Sequence, residues 1–199
     1  MPRSSRVAAR ELELAAESGV GLAAVSASYA LARTRVQPPS SPTRGSVATF
    51  LDGSDDEKRL ALSVAPMNSE TEAAIAQAAK EASPELRVVA LTRLTGIAAR
   101  RNDAIRGLRE LANVKASSES EVRAQGDALS ALAHAGDNSV RATLVKNLRD
   151  DAVDKRSRAA RGLTSLGDYS DAATALADDD ANLRSEFACS VLAREAAPR

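Results

Sequence analysis

The sequence predicts an all-α protein assembled from repeated helix pairs, and three observations carry that prediction. Alanine and leucine dominate, with 42 and 21 of the 199 residues, while Phe and Tyr supply two each and Trp none. Small side chains let helices approach closely, whereas a sheet would require β-branched and aromatic residues. No proline occurs between residues 85 and 197, so that long stretch can be helical wherever its Gly, Asp, Asn and Ser clusters do not break it. Finally, the chain matches itself at shifts of 28 and 31 residues, the mark of a repeat architecture.

Taken in order, residues 1–36 form an N-terminal arm that reads as helical from residue 5. Residues 18–32 carry no charge, but 15 residues fall short of the roughly 20 needed to cross a bilayer, and Glu11, Glu13 and Glu17 lie just upstream. The arm is therefore expected to be a capping helix or helix pair. A membrane anchor through 18–32 is the alternative, suggested by Arg3, Arg6 and Arg10 on one side and a breaker-rich linker on the other. That linker, 37–45, contains Pro38, Pro39 and Pro42 with Ser40, Ser41 and Gly45. Residues 46–199 make up the repeat array. First helices are expected near 55–65, 84–99, 118–134, 153–166 and 180–195, and second helices near 69–82, 101–115, 138–149 and 169–177. Apolar residues recur at helical spacing, as in Leu86, Ala90, Leu94 and Ile97, or Val140, Leu144 and Leu148, or Leu183, Phe187 and Val191.

The repeats align residue by residue. A shift of 28 places Leu148 on Leu176, Asp150 on Asp178, Asp151 on Asp179, Arg156 on Arg184 and Ala160 on Ala188. A shift of 31 places Ala128 on Ala159, Leu132 on Leu163, Gly136 on Gly167 and Asp137 on Asp168. Each unit is a helix, a Gly-Asp turn, a second helix and an acidic turn. Glycine there can take positive φ, and the aspartate can accept N–H groups from the next first turn. Acidic turn, Arg, Ala and Leu at helical spacing, then Leu-Gly-Asp: this pattern resembles the HEAT-repeat family, particularly its bacterial HEAT-like branch, over residues 46–195. The resemblance implies antiparallel helix pairs stacked into a curved α-solenoid, with second helices lining a concave binding face. It also implies that the recurring Arg59, Arg87, Arg156 and Arg184 brace one repeat against the next by pairing with acids such as Glu57, Asp151 and Asp180. Pro66, where later repeats have Leu94 or Leu163, and the short helix at 169–177 depart from the family pattern.

Composition narrows the functions. Lys plus Arg and Asp plus Glu number 27 each, so there is no net charge to draw a polyanion, and four aromatic residues offer few stacking platforms; nucleic acid is disfavoured as a partner. With one histidine, His134, and one cysteine, Cys189, the chain lacks a metal ligand set, and no cofactor is expected. His134, at a helix end, is expected to interact with terminal carbonyls, and Cys189 to be a small buried thiol. The run from Asp178 to Asp180 lacks the ligand alternation of a calcium loop and reads as helix capping. No phosphate loop, nucleophile elbow or dinucleotide motif is present, and no catalytic residue is assigned.

The expected function is thus a non-enzymatic protein-binding scaffold in the cytoplasm. The alternatives implied by the resemblance are a catalytic HEAT-like protein such as a chromophore lyase, or a membrane-tethered adaptor. On the middle second helices, Ile105, Leu108 and Ala112 are expected inward, leaving Arg106 and Arg109 outward; Val140, Leu144 and Leu148 inward leave Arg141 and Lys146 outward. These four cations form a candidate basic band for an acidic protein segment, with a merely solvated face as the plainer alternative.

Overall fold

The structure, a computed structural model, describes residues 54–64, 67 and 69–195; the N-terminal arm, the linker and Pro66 lie outside the described residues. All regular structure among them is helical: α1 (Asp55–Val64), α2 (Ser69–Glu81), α3 (Pro84–Leu94), α4 (Arg101–Asn113), α5 (Glu119–His134), a 3-10 turn (Asn138–Val140) leading into α6 (Arg141–Asn147), α7 (Val153–Ser165), α8 (Tyr169–Ala172) continued by a 3-10 turn (Ala173–Ala177), and α9 (Ala181–Glu195). No described helix is long and apolar enough to cross a membrane. The chain divides into two compact units between Gly96 and Ile97, a boundary inside the expected 46–199 array.

In the first unit, α3 packs against both α1 and α2. Contact on two sides explains why it buries Leu86, Val88, Ala90, Leu91 and Leu94, more than one stripe of an 11-residue helix. α3 stops at Leu94 rather than near 99. Gly96 N–H bonds to the Arg93 carbonyl, and the Ile97 carbonyl accepts from both Arg100 and Arg101, so the chain turns and restarts as α4. Ile97, expected on the inner stripe, sits half-buried in this turn.

Within the second unit, α5 packs on α4 and α7, and α7 in turn packs on α6, α8 and α9. Ala124, Ala128, Leu132, Ala159, Ala160 and Leu163 are almost wholly buried, so the first helices meet through alanine surfaces with leucine between them. α4 buries Ala104, Leu108, Leu111 and Ala112; Ile105, expected inward, only flanks that face. On α9, Leu183 and Phe187 are buried against α7 and the second 3-10 turn. Cys189, expected to be buried, is exposed. It follows Phe187 by two residues, about 200° around a helix of 3.6 residues per turn, which carries it away from the packed face.

The termini are closed by local chemistry. Ser54 and Glu57 bond reciprocally at the start of α1, the Glu57 carboxylate accepting from Ser54 N–H at 2.8 Å, and Ser118 with Glu121 forms a capping box on α5. α5 and α7 end alike. Gly136 (φ 79°) and Gly167 (φ 81°) occupy the left-handed position, and the following Asp137 and Asp168 N–H groups reach back to the Leu132 and Leu163 carbonyls at 2.9 Å. That is the Schellman arrangement, which satisfies carbonyls the helix leaves open.

Mid-helix, Gly162 serves close approach. A Cβ there would lie 2.9 and 3.1 Å from the two terminal methyls of Leu144, itself 1% exposed. Gly162→Ala should therefore destabilise the second unit by about 1 to 2 kcal/mol in chemical unfolding, because overpacking outweighs the roughly 1 kcal/mol gain in helix propensity. A net gain in stability would show that α6 is not held against α7 as described. Phe187→Ala should cost about 3 to 5 kcal/mol, the range for truncating a buried aromatic side chain, and an unchanged melting temperature would contradict its burial.

Candidate functional site

Arg106, Arg109, Arg141 and Lys146, expected to form a basic band, all lie in the 97–199 unit, and the structure gives them different tasks. Arg106, on α4, pairs with Asp103 one turn earlier, both side chains about two-thirds exposed. Arg109 donates from Nε and Nη2 to the two carboxylate oxygens of Asp137, at 2.7 and 2.9 Å. Arg141, at the start of α6, donates to Asp168 and to Asp171, the latter at 2.8 Å. Lys146 is exposed on α6 and has no carboxylate within ion-pairing distance among the described residues.

Asp137 and Asp168, the turn aspartates that the repeat alignment superposes, are thus each bound by an arginine reaching forward from the preceding second helix. The same carboxylates cap the next helical turn: Asp137 accepts from Ser139 N–H, and Asp168 from Asp171 N–H. With the bidentate Arg109 bond as the main cause, the Asp137 carboxyl is held down at about 2 despite the opposing effect of burial. Two of the four candidate cations are therefore committed to turns inside the unit, for a physical reason: both project from second helices at the height of the next Gly-Asp joint, where a cap carboxylate is already fixed.

The four recurring arginines bind differently from one another. Arg59 pairs with Glu85 across α1 and α3, while the Glu57 carboxylate goes to Ser54. Arg87 donates to the Ala79 carbonyl at 3.3 Å, near the end of α2. Arg156 grips both oxygens of Asp178 at 2.7 and 2.9 Å and also reaches the Asp150 and Asp151 carbonyls at 3.0 Å, so Asp151 contributes backbone rather than its carboxylate. Arg184 repeats the carbonyl contacts with Asp178 and Asp179, and Asp180 instead caps α9 by accepting from Leu183 N–H at 2.8 Å. Hydrogen bonding from Arg156 is the main cause that holds the Asp178 carboxyl below its ordinary range. His134, expected to meet helix-end carbonyls, lies 3.3 Å from the Ser165 hydroxyl on α7. Being the last residue of α5, it points sideways at its neighbour rather than onward along its own axis.

α6 presents a feature that the sequence reading missed. Val145, on α6, and Arg149, in the turn that follows it, form a ridge between two open clefts. The larger, about 640 Å³, continues past Lys146 and Asn147 to Asp150 and Asp151. The smaller, about 150 Å³, lies between α6 and the 3-10 turn after α8 and is walled by Val145, Leu148, Thr174 and Ala175. Leu148, expected inward, is only half-buried because α6 ends at Asn147 and the chain turns away. The available signal was the short spacing from the Gly-Asp turn to the acidic turn, which leaves α6 too short to carry its apolar stripe to the end.

No match is found for this chain among known protein families, curated proteins or solved structures.

Asp137→Asn separates cap from ion pair, because an amide oxygen can still accept from Ser139 while the charge facing Arg109 is gone. A carboxyl depressed to about 2 in the fold, against about 3.9 in an unfolded chain, contributes stability that is complete above about pH 4 and is lost as pH falls through about 2. The variant should be less stable than the parent by about 1 kcal/mol at pH 7, and the difference should shrink toward pH 2. Urea titrations at both pH values check this; an equal deficit at each would exclude the ion pair as its source.

Proposed function

We propose that this chain is a non-enzymatic scaffold of the HEAT-like kind that binds a protein through the second-helix face of its 97–199 unit. The observation that carries the reading is the α6 ridge. Most arginines around it are committed to turn carboxylates or helix-end carbonyls, yet Lys146 and Arg149 face open clefts with no carboxylate partner among the described residues. Beside them lies apolar wall from Val145, Leu148 and Ala175. A half-buried apolar cleft wall rimmed by charge suits protein contact better than bulk solvation. The helices beside it are joined at Gly-Asp turns whose aspartates bind Arg109 and Arg141.

The original band of Arg106, Arg109, Arg141 and Lys146 is accordingly redrawn around Lys146 and Arg149. Reversing Arg109 would set a carboxylate against Asp137 and damage the fold, so it is a poor probe of binding. Quantitative affinity purification of the tagged full chain, beside Lys146→Glu with Arg149→Glu, tests the proposal. At least one protein should be retained by the parent and depleted tenfold or more by the double variant, with equal melting temperatures for both chains. Identical recovery profiles from two folded proteins would refute it.

A further inference from the structure

Building on the scaffold reading, we infer that the α6 ridge takes an acidic, extended peptide segment that places one aliphatic side chain in the 150 Å³ cleft and carboxylates on Arg149 and Lys146. The small cleft is the size of a single aliphatic side chain, and its wall of Val145, Leu148 and Ala175 is apolar. Two carboxylates at its rim are already neutralised: Asp171 by Arg141 at 2.8 Å and Asp178 by Arg156 at 2.7 Å. Arg149 is the rim cation without such a partner among the described residues, and it also borders the larger cleft. Lys146 lies in the last turn of α6 and Arg149 in the turn that follows, its N–H bonded to the Lys146 carbonyl at 3.2 Å, so the two cations border the larger cleft together. An extended chain rises about 3.3 Å per residue, so carboxylates two positions apart can meet both while the backbone follows the ridge. The segment thus gains specificity from the cleft and charge-assisted bonds from the cations.

Charge around the ridge also selects the class of partner. Asp150 and Asp151 line the far end of the larger cleft, and Asp150 is held by Lys155 at 3.0 Å while Asp151 stays exposed. A phosphate backbone, charged at every nucleotide, would run into that end. A peptide can confine its carboxylates to the two cations.

The test is a random dodecapeptide display selection on the full chain, followed by fluorescence anisotropy with the synthetic winners. Selected peptides should combine two or more acidic residues with one aliphatic residue. Their affinity should fall at least tenfold for Lys146→Gln with Arg149→Gln, for Thr174→Phe, which narrows the cleft mouth, and when the peptide's aliphatic residue becomes glycine. Arg106→Gln, on α4, should change it less than twofold. The inference is overturned by a selection that yields no peptide, by winners lacking acidic residues, by equal sensitivity to Arg106→Gln, or by a 20-nucleotide single-stranded DNA that binds with the same dependence on Lys146 and Arg149. Failure here with a protein still captured through α6 would remove only the acidic segment. Failure of both experiments would remove the scaffold reading as well.

Discussion

At each Gly-Asp joint one residue completes three separate interactions, and the order of the 97–199 unit depends on them. The N–H of Asp137 closes the end of α5, its carboxylate caps the turn that opens α6, and the same carboxylate receives Arg109 from α4. Asp168 does likewise between α7 and α8 with Arg141. A helix ending, a helix beginning and a neighbouring helix are thus referred to one side chain. Such a joint fixes the angle between consecutive helices more firmly than an exposed ion pair, because the acceptor is already immobilised by backbone bonds before the arginine arrives.

That constraint matters because the core is thin. Alanine buries little apolar area per residue, so burial of the hydrophobic stripe alone leaves the helices weakly positioned along their axes. Close approach compensates through contact number: Gly162 lets Leu144 lie directly on α7, and Gly126 leaves room for the Arg158 guanidinium over α5. Arginines then tie helix ends to their neighbours through carbonyls the helices cannot satisfy themselves, as Arg101 does at Ala135 and Arg93 at Ser63. Charge among the described residues is therefore largely structural, with most of their arginines serving helix ends and turns.

The same logic bears on the proposed binding surface. Lys146 on α6 and Arg149 in the turn after it have no such joint to serve among the described residues, and both border open clefts. The helix is short, starts as a 3-10 turn and ends before Leu148, so it leaves gaps on both flanks that a longer helix would fill.

Helix positions and turn chemistry were legible in the amino-acid sequence, because they depend on residues near one another. The 3.6-residue spacing of Ala and Leu, the glycines needing positive φ and the aspartates at cap positions determined six of the nine described α-helices to within about two residues at each end, while α3 and α8 stop five residues early and α6 begins as a 3-10 turn. Partner choice was not local. Whether Arg109 and Arg141 face solvent or a carboxylate 28 or 27 residues further on depends on where stacking brings the next turn. The exposure of Cys189, the rotation of Ile105 off the core and the clefts beside Val145 likewise follow from how one helix meets another. Periodicity assigns a residue to a face, but tertiary packing decides what that face meets.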